Sequence, residues 1–125
     1  MSLPDIAGQA MALRHSILTM KTEIDDLRND ARGKCELGIR RSDEIKVLYD
    51  VKASLRKQRD VAVKNNDSTT LLTAENRLAD VRRQIRTKKQ DVERVADQLM
   101  ADKDRLEAKA KQYYAAKKQY NDLFV

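Results

Sequence analysis

The amino-acid sequence predicts an all-α fold, a long antiparallel coiled-coil hairpin of two helices of about 55–60 residues each. Composition is the first reason, because 37% of the 125 residues are charged, 4% are aromatic, and there are only three Gly and one Pro. Such a chain suits helices that each bury a narrow stripe. The other two reasons are a seven-residue repeat and a central polar stretch, KNNDSTT. We expect a single helical-hairpin domain over residues 1–125.

The first helix is expected over residues 3–64. Ser2, Pro4 and Asp5 combine an N-cap residue, an early-turn proline and an acid close to the capping-box position. Apolar residues then recur in steps of four and three, apart from one polar gap, and form a seam for packing against a second helix. They are Ile6, Ala10, Leu13, Ile17, Met20, Ile24, Leu27, Ala31, Ile45, Leu48, Leu55 and Ala62.

The polar gap lies within ARGKCELGIRRSDE, where Gly33 and Gly38 each lower helix stability by about 1 kcal/mol relative to Ala. Ser42 is a candidate cap for a new helix. Two interpretations follow: a break near Gly33–Gly38 that gives three helices, or one helix that is continuous or kinked there. The second is favoured because the heptad phase is the same on both sides of the gap.

The second helix is expected over residues 70–124, after a bend at 65–69. Asn65 or Asn66 can end the first helix in a left-handed turn, and Asp67, Ser68 and Thr69 are candidate caps for the second. Every seventh residue from Leu71 is apolar or aromatic. The series is Leu71, Leu78, Ile85, Val92, Leu99, Leu106, Tyr113 and Tyr120.

Folding the chain at the bend predicts a register in which residue i lies opposite residue 133 minus i. Leu78 then faces Leu55 and Ile85 faces Leu48, so the apolar seams of the two helices meet. The charged seam residues are expected opposite small or apolar residues rather than opposite each other, with their methylenes along the seam and their charges in water. They are Lys52, Arg59, Lys88 and Lys109.

Positive charge is concentrated near the bend. Residues 52–89 contain eleven Lys and Arg against four Asp and Glu, a net charge of +7, whereas the whole chain carries +6. The candidate binding residues for an anionic or acidic partner are Arg56, Lys57, Arg82, Arg83, Arg86 and Lys89. The cluster suits phosphates of nucleic acid or anionic lipid, or an acidic protein. The alternative is a solvated face, and the lack of interleaved aromatic residues argues against single-strand binding.

The end that carries both termini has apolar residues outside the seam. Two packed helices bury one stripe each, so apolar residues elsewhere need another partner. Met11 and Leu18 are seven residues apart and share a face, and Tyr114 and Phe124 lie on the second helix. These four residues predict a self-association or docking surface, with scattered exposure as the alternative.

Other functional classes find little support. No phosphate-binding loop, nucleophile motif or metal-ligand spacing is present, so no enzyme activity, cofactor or metal is expected. Cys35 is alone and is expected to be a free thiol. No apolar run is long enough for a transmembrane helix, and the first residues do not resemble a secretory signal, so a cytoplasmic location is expected.

The leading hypothesis is a non-enzymatic coiled-coil interaction protein that self-associates through the end with the termini and presents a basic tip to an acidic or anionic partner. The alternative is a hairpin that binds nucleic acid or an anionic membrane. In shape and tip charge the prediction resembles basic stalk proteins of type III secretion and flagellar export, the membrane-remodelling ESCRT-III hairpin and the tRNA-binding arm of seryl-tRNA synthetase. A stalk or adaptor component of a secretion or ATPase assembly is therefore a second alternative.

Overall fold

The computed structural model describes residues 2–125, and two α-helices pack against each other there as a hairpin. Helix α1 spans Leu3–Lys64 and helix α2 spans Ser68–Asp122, with no strand among the described residues. The predicted fold class is confirmed. The chain divides into two compact units: unit 1 contains the residues up to Lys34 together with Gln98–Val125, and unit 2 contains Cys35–Asp97.

Helix α1 begins with the cap that its sequence predicts. The backbone N–H of Asp5 donates to Ser2 Oγ at 3.3 Å, and the Ser2 hydroxyl donates to Asp5 Oδ2 at 2.6 Å. The serine thus satisfies a backbone donor that has no partner within the helix, and the acid lies in the first turn, where the helix dipole favours negative charge.

The bend is shorter than expected, because α2 begins at Ser68 rather than at residue 70. Asn66 has a left-handed φ of 52°, and the N–H groups of Asn66 and Asp67 bond to the carbonyls of Val63 and Ala62 at 3.3 and 2.9 Å, the Schellman pattern. Asp67 then caps α2, since its Oδ1 accepts from the Thr70 N–H at 3.1 Å. Because Asp67 takes the cap, Ser68 and Thr69 lie inside the helix.

Helix α1 is continuous through Gly33 and Gly38, so the three-helix interpretation is wrong. A Cβ added at Gly38 would lie 3.4 Å from Val95 Cγ1, whereas one added at Gly33 would meet nothing within 4 Å. The 133-minus-i register places Val95 opposite Gly38. The two glycines lower the helix propensity of this segment, and packing of α1 against α2 along the seam supports its helical conformation.

Unit 2 has an aliphatic core. Leu55, Leu78, Val81 and Ile85 form one buried cluster, and the half-buried Leu48 packs against it. This cluster contains both the Leu55–Leu78 and the Leu48–Ile85 pairs that the register predicts. Toward the bend, Ala62 and Ala74 are each 2% exposed, because small side chains let the helices approach closely.

Unit 1 buries a charged pair in its seam. Asp102 is only 2% exposed, and its Oδ2 lies 2.8 Å from Lys34 Nζ, which also reaches Asp30 at 3.0 Å. These contacts raise the pKa of Lys34, first through Asp102 and then through Asp30. The expectation that charged seam residues avoid each other is wrong here, because a buried carboxylate needs a cationic partner.

Three of the four charged seam residues named above have an acidic partner rather than only extending into water. Arg59 lies 3.5 Å from its neighbour Asp60, and the two others bind glutamates of the facing helix. Lys88 Nζ lies 2.6 Å from Glu44 Oε2 in unit 2, and Lys109 Nζ lies 2.5 Å from Glu23 Oε2 in unit 1. Each glutamate immediately precedes the isoleucine that the register placed opposite the lysine. The register is therefore compatible with both contacts, and the lysine turns from the seam toward the adjacent acid.

Candidate anion-binding surface

All six basic residues predicted to bind a partner are exposed, and all six belong to unit 2. They differ in whether an acidic side chain lies close enough to form an ion pair. Arg83 lies 3.4 Å from Asp80, one helical turn earlier. Within residues 2–125, the other five make no ion pair: Arg56, Lys57, Arg82, Arg86 and Lys89.

One of these five, Lys89, also lies beside an aromatic ring that charge density along the sequence did not reveal. Its Nζ is 5.2 Å from the ring centroid of Tyr49, and Lys52 Nζ is 5.7 Å from the same centroid. Tyr49 is 41% exposed. The ammonium groups, Lys89 first, lower the pKa of the Tyr49 hydroxyl. An aromatic side chain is thus interleaved with the basic residues after all, contributed by the other helix.

The contact between Tyr49 and Lys89 also fixes which residues meet across the two helices nearer the bend. In an antiparallel pair, a step of seven residues toward the bend on each helix returns to the same face. That step leads from Tyr49 to Arg56 and from Lys89 to Arg82, so the two arginines lie across the seam from each other. Arg86, four residues after Arg82 and three before Lys89, lies on the same face.

We call this surface the basic side. It consists of Tyr49, Lys52 and Arg56 on α1 and Arg82, Arg86 and Lys89 on α2. Between residues 52 and 57, and again between 82 and 89, the sequence contains no Asp or Glu. The basic side is therefore a cationic strip built from both helices, and the nearest acids on its face lie one turn beyond it, Asp60 after Arg56 and Glu93 after Lys89.

Two of the predicted binding residues lie elsewhere. Lys57 follows the buried Leu55 by two residues and Arg83 follows the buried Val81 by two, a rotation of about 200° from the seam. Both therefore lie on the outer faces of their helices rather than on the basic side. Charge density along the sequence groups the six residues as one patch, because it contains no information on the direction of each side chain.

The opposite flank of the seam has compensated charges. Glu44 accepts from Arg41 Nη1 at 2.9 and 3.2 Å and from Lys88 Nζ at 2.6 Å. Lys88 and then Arg41 lower the pKa of the Glu44 carboxyl. A shallow groove beside this cluster is lined by Arg41, Arg83, Gln84, Thr87, Lys88 and Asp91. Because its cations already have acidic neighbours, this flank is a weaker candidate for binding an anion.

Unit 1 displays the predicted apolar surface. Met11, Leu18, Tyr114 and Phe124 are all exposed. Tyr114 lines a groove together with Asp25 of α1. Leu18 and Met11 precede Asp25 by seven and fourteen residues, so they lie on the same face of α1 as the groove. Three of the four residues therefore share one side of unit 1, and Phe124 packs edge-on against Tyr120 at 5.2 Å between ring centroids.

Neither helix is apolar enough over a sufficient length to cross a membrane, as far as residues 2–125 are concerned. Comparisons with protein-family models, with curated proteins and with solved structures found no match for this chain. The charge and geometry of its own surfaces are therefore the basis for a functional proposal.

Proposed function

We propose that this protein is a non-enzymatic coiled-coil interaction protein that binds an acidic or anionic partner through the basic side of unit 2. The observation that carries the proposal is the contact of Lys89 with Tyr49 across the seam. One heptad step toward the bend from that contact implies that Arg56 lies across from Arg82, and neither arginine makes an ion pair within residues 2–125. Like charges on neighbouring positions are mildly unfavourable in a free protein. A bound anion relieves that repulsion.

The rest of the basic side strengthens this argument. Arg86 adds a third guanidinium on the same face, and Lys52 and Lys89 add two ammonium groups around Tyr49. Guanidinium groups donate two parallel hydrogen bonds to a phosphate, sulfate or carboxylate. Beneath them, the aliphatic cluster around Leu78 holds the two helices together, so the cations project from packed helices rather than from a loop.

The test compares two charge reversals of equal size. Arg56→Glu with Arg82→Glu removes the cations that face each other on the basic side. Lys57→Glu with Arg83→Glu makes the same charge change on the outer faces. Binding of fluorescently labelled heparin, a generic polyanion, is measured by anisotropy over a range of salt concentrations, and circular dichroism checks that each variant remains helical.

We expect the Arg56/Arg82 variant to lose at least about tenfold in heparin affinity, with a shallower salt dependence, because two anion contacts are gone. The Lys57/Arg83 variant is expected to retain most of its affinity. Equal losses in the two variants would mean that net charge alone attracts the polyanion, and the proposed surface would be wrong. No loss in either variant would reject it as well.

Self-association through unit 1 is a second candidate function, and it is favoured by the shared side of Met11, Leu18 and Tyr114. Leu18→Asp places a charge in the middle of that side, whereas Thr19→Asp places it on an adjacent exposed position about 100° around the helix. Light scattering at high protein concentration is expected to show an oligomer that Leu18→Asp dissociates and Thr19→Asp preserves. A wild-type protein that remains monomeric would reject self-association.

A further inference from the structure

We infer that the partner of the basic side is single-stranded nucleic acid, with Tyr49 stacking on a base while the surrounding cations contact the phosphodiester backbone. This inference rests on the proposed function, because it names the class of anion that the same surface binds. Binding of a single strand requires the ring of Tyr49, whereas binding of a polyanion by charge alone does not.

The two helices bring together the two kinds of side chain that single-strand binding uses. Proteins that bind single strands combine a cationic path for the backbone with aromatic rings on which bases stack. Tyr49 supplies an aromatic ring that is 41% exposed, and Lys52 and Lys89 lie within 6 Å of its centroid. The ring therefore lies inside the cationic strip, where a nucleotide whose phosphate binds a lysine can place its base on the ring.

The length of the basic side also suits a single strand. Tyr49 and Arg56 are seven residues apart on α1, as are Arg82 and Lys89 on α2, which corresponds to about 10 Å along each helix. That distance matches about three nucleotides of a stacked strand at about 3.4 Å each. Arg86 lies between the two ends of the α2 segment. Successive phosphates can thus meet successive cations while one base reaches Tyr49.

Exposed apolar residues lie on both flanks of unit 2. Val47 and Val51 lie on the flank opposite the basic side, whereas Val63 follows Arg56 by seven residues and lies on its face. A surface that binds an anionic bilayer also places apolar side chains next to its cations. Phosphatidylserine vesicles are therefore included in the experiment, so that a membrane is tested directly as the partner.

The lysines next to Tyr49 do not prevent stacking. A cation–π contact at an exposed site is weaker than the stacking of a base on an aromatic ring. A base therefore displaces an ammonium group from the ring with a net gain. The displaced ammonium remains attached to a flexible side chain beside the ring, where it can contact the phosphate of the same nucleotide.

The experiment measures binding of a fluorescently labelled oligothymidylate and of labelled heparin to the wild-type protein and to two Tyr49 variants. Tyr49→Leu keeps an apolar side chain and favours the helix but removes the ring. Tyr49→Phe keeps the ring and removes the hydroxyl. An oligonucleotide of the same length with abasic sugars is the matched ligand, since it retains the phosphates and lacks the bases.

We expect Tyr49→Leu to weaken oligothymidylate binding about tenfold, to leave heparin binding unchanged, and to have no effect on the abasic oligonucleotide. Tyr49→Phe is expected to restore wild-type affinity for oligothymidylate. For the wild-type protein, the abasic oligonucleotide is expected to bind about as weakly as oligothymidylate binds to Tyr49→Leu.

The outcomes separate this inference from the proposed function. If heparin binding depends on Arg56 and Arg82 but oligothymidylate binding is indifferent to Tyr49→Leu, the anion-binding function stands and the inference is wrong. If the wild-type protein binds neither polyanion, both are wrong. Tighter binding to phosphatidylserine vesicles or to a polyglutamate peptide than to oligothymidylate at the same salt concentration would also overturn the inference.

Discussion

The two units are built from the same heptad repeat but bury different residues. In unit 2 the seam contains the aliphatic cluster around Leu78, extended by Ala62 and Ala74 toward the bend and by Val95. In the part of unit 1 that the structure describes, Ile24 and Ala116 are the buried apolar residues, and a carboxylate, Asp102, is buried with them. A periodic seam predicts where helices meet, whereas the residues placed in it decide how well the contact is packed.

The difference matches the different surfaces of the two units. Unit 2 buries an aliphatic cluster in its seam, presents cations on one flank and exposes Val47 and Val51 on the other. Unit 1 has lysine, aspartate and tyrosine in its seam and exposes Met11, Leu18 and Tyr114 on one side. We therefore expect unit 2 to be the more stable of the two and unit 1 to depend more on additional contacts.

The largest expected difference between the two units is in the cost of replacing a leucine in each of them. Leu78 in unit 2 is 1% exposed, and Leu106 in unit 1 is half-buried. Leu78→Ala is expected to lower the free energy of unfolding by about 2–5 kcal/mol, because it leaves a cavity in the aliphatic cluster. Leu106→Ala is expected to cost about 1 kcal/mol, since its side chain already contacts water. Urea unfolding followed by circular dichroism measures both.

Equal costs for the two leucine variants would contradict the difference in packing. Amide hydrogen exchange adds a local readout, because backbone amides in better-packed segments open less often. We expect slower exchange around Leu55 and Leu78 than around Leu27 and Leu106.

A smaller effect is expected from the two glycines in the middle of α1. Gly33→Ala is expected to stabilise the protein by about 0.5–1 kcal/mol, because a Cβ there meets nothing within 4 Å and alanine favours the helix. Gly38→Ala gains the same helix propensity, and its added Cβ would make an ordinary van der Waals contact with Val95 Cγ1 at 3.4 Å, so we expect it to stabilise the protein at least as much. Thermal melts of the two variants are compared, and a destabilising Gly38→Ala would contradict this account of the packing.

The smallest effect concerns the acid dependence of unit 2. The folded protein holds the pKa of Glu44 below its value in the unfolded chain, which is about 4.3. The resulting stabilisation is fully present above that unfolded pKa and is lost as the pH falls through the lower pKa of the folded state. Glu44→Gln is therefore expected to lose less stability than the wild-type protein when the pH falls below about 4.3.

Urea midpoints at neutral pH and at pH values below that point measure this difference. Glu36→Gln is the control, because Glu36 is an exposed residue of the same helix that makes no ion pair within residues 2–125. If both variants lose equally less stability than the wild-type protein at low pH, the removal of any carboxylate has this effect. The contacts of Glu44 with Lys88 and Arg41 would then not be its cause.

The sequence could predict those features of the fold that depend on repetition. The phase of the heptads on both sides of the polar gap predicted an unbroken α1, and the common register predicted that Leu55 meets Leu78. The composition of KNNDSTT predicted a bend with caps. It could not select among Asp67, Ser68 and Thr69, since each has a suitable oxygen and the choice depends on where the left-handed Asn66 directs the chain.

The candidate surface was less predictable. Charge density along the chain identified Arg56 and Arg82, but it also included Lys57 and Arg83, whose side chains lie on the outer faces. Tyr49 was missed because it lies outside the basic segment in sequence. A signal for it existed: Tyr49 follows the seam residue Leu48 as Lys89 follows Lys88, which places both on the same flank of the hairpin.

The sequence by itself therefore determined the all-α hairpin, the position of its bend and the stripe along which the helices pack, because these follow from the period of the α-helix and from residues that end it. Only the tertiary structure decided that Lys34 reaches the buried Asp102, that Lys88 turns to Glu44, and that Tyr49 joins the cations of the other helix. The physical reason is that long side chains choose among several partners across the seam, and that choice depends on packing distances that periodicity does not specify.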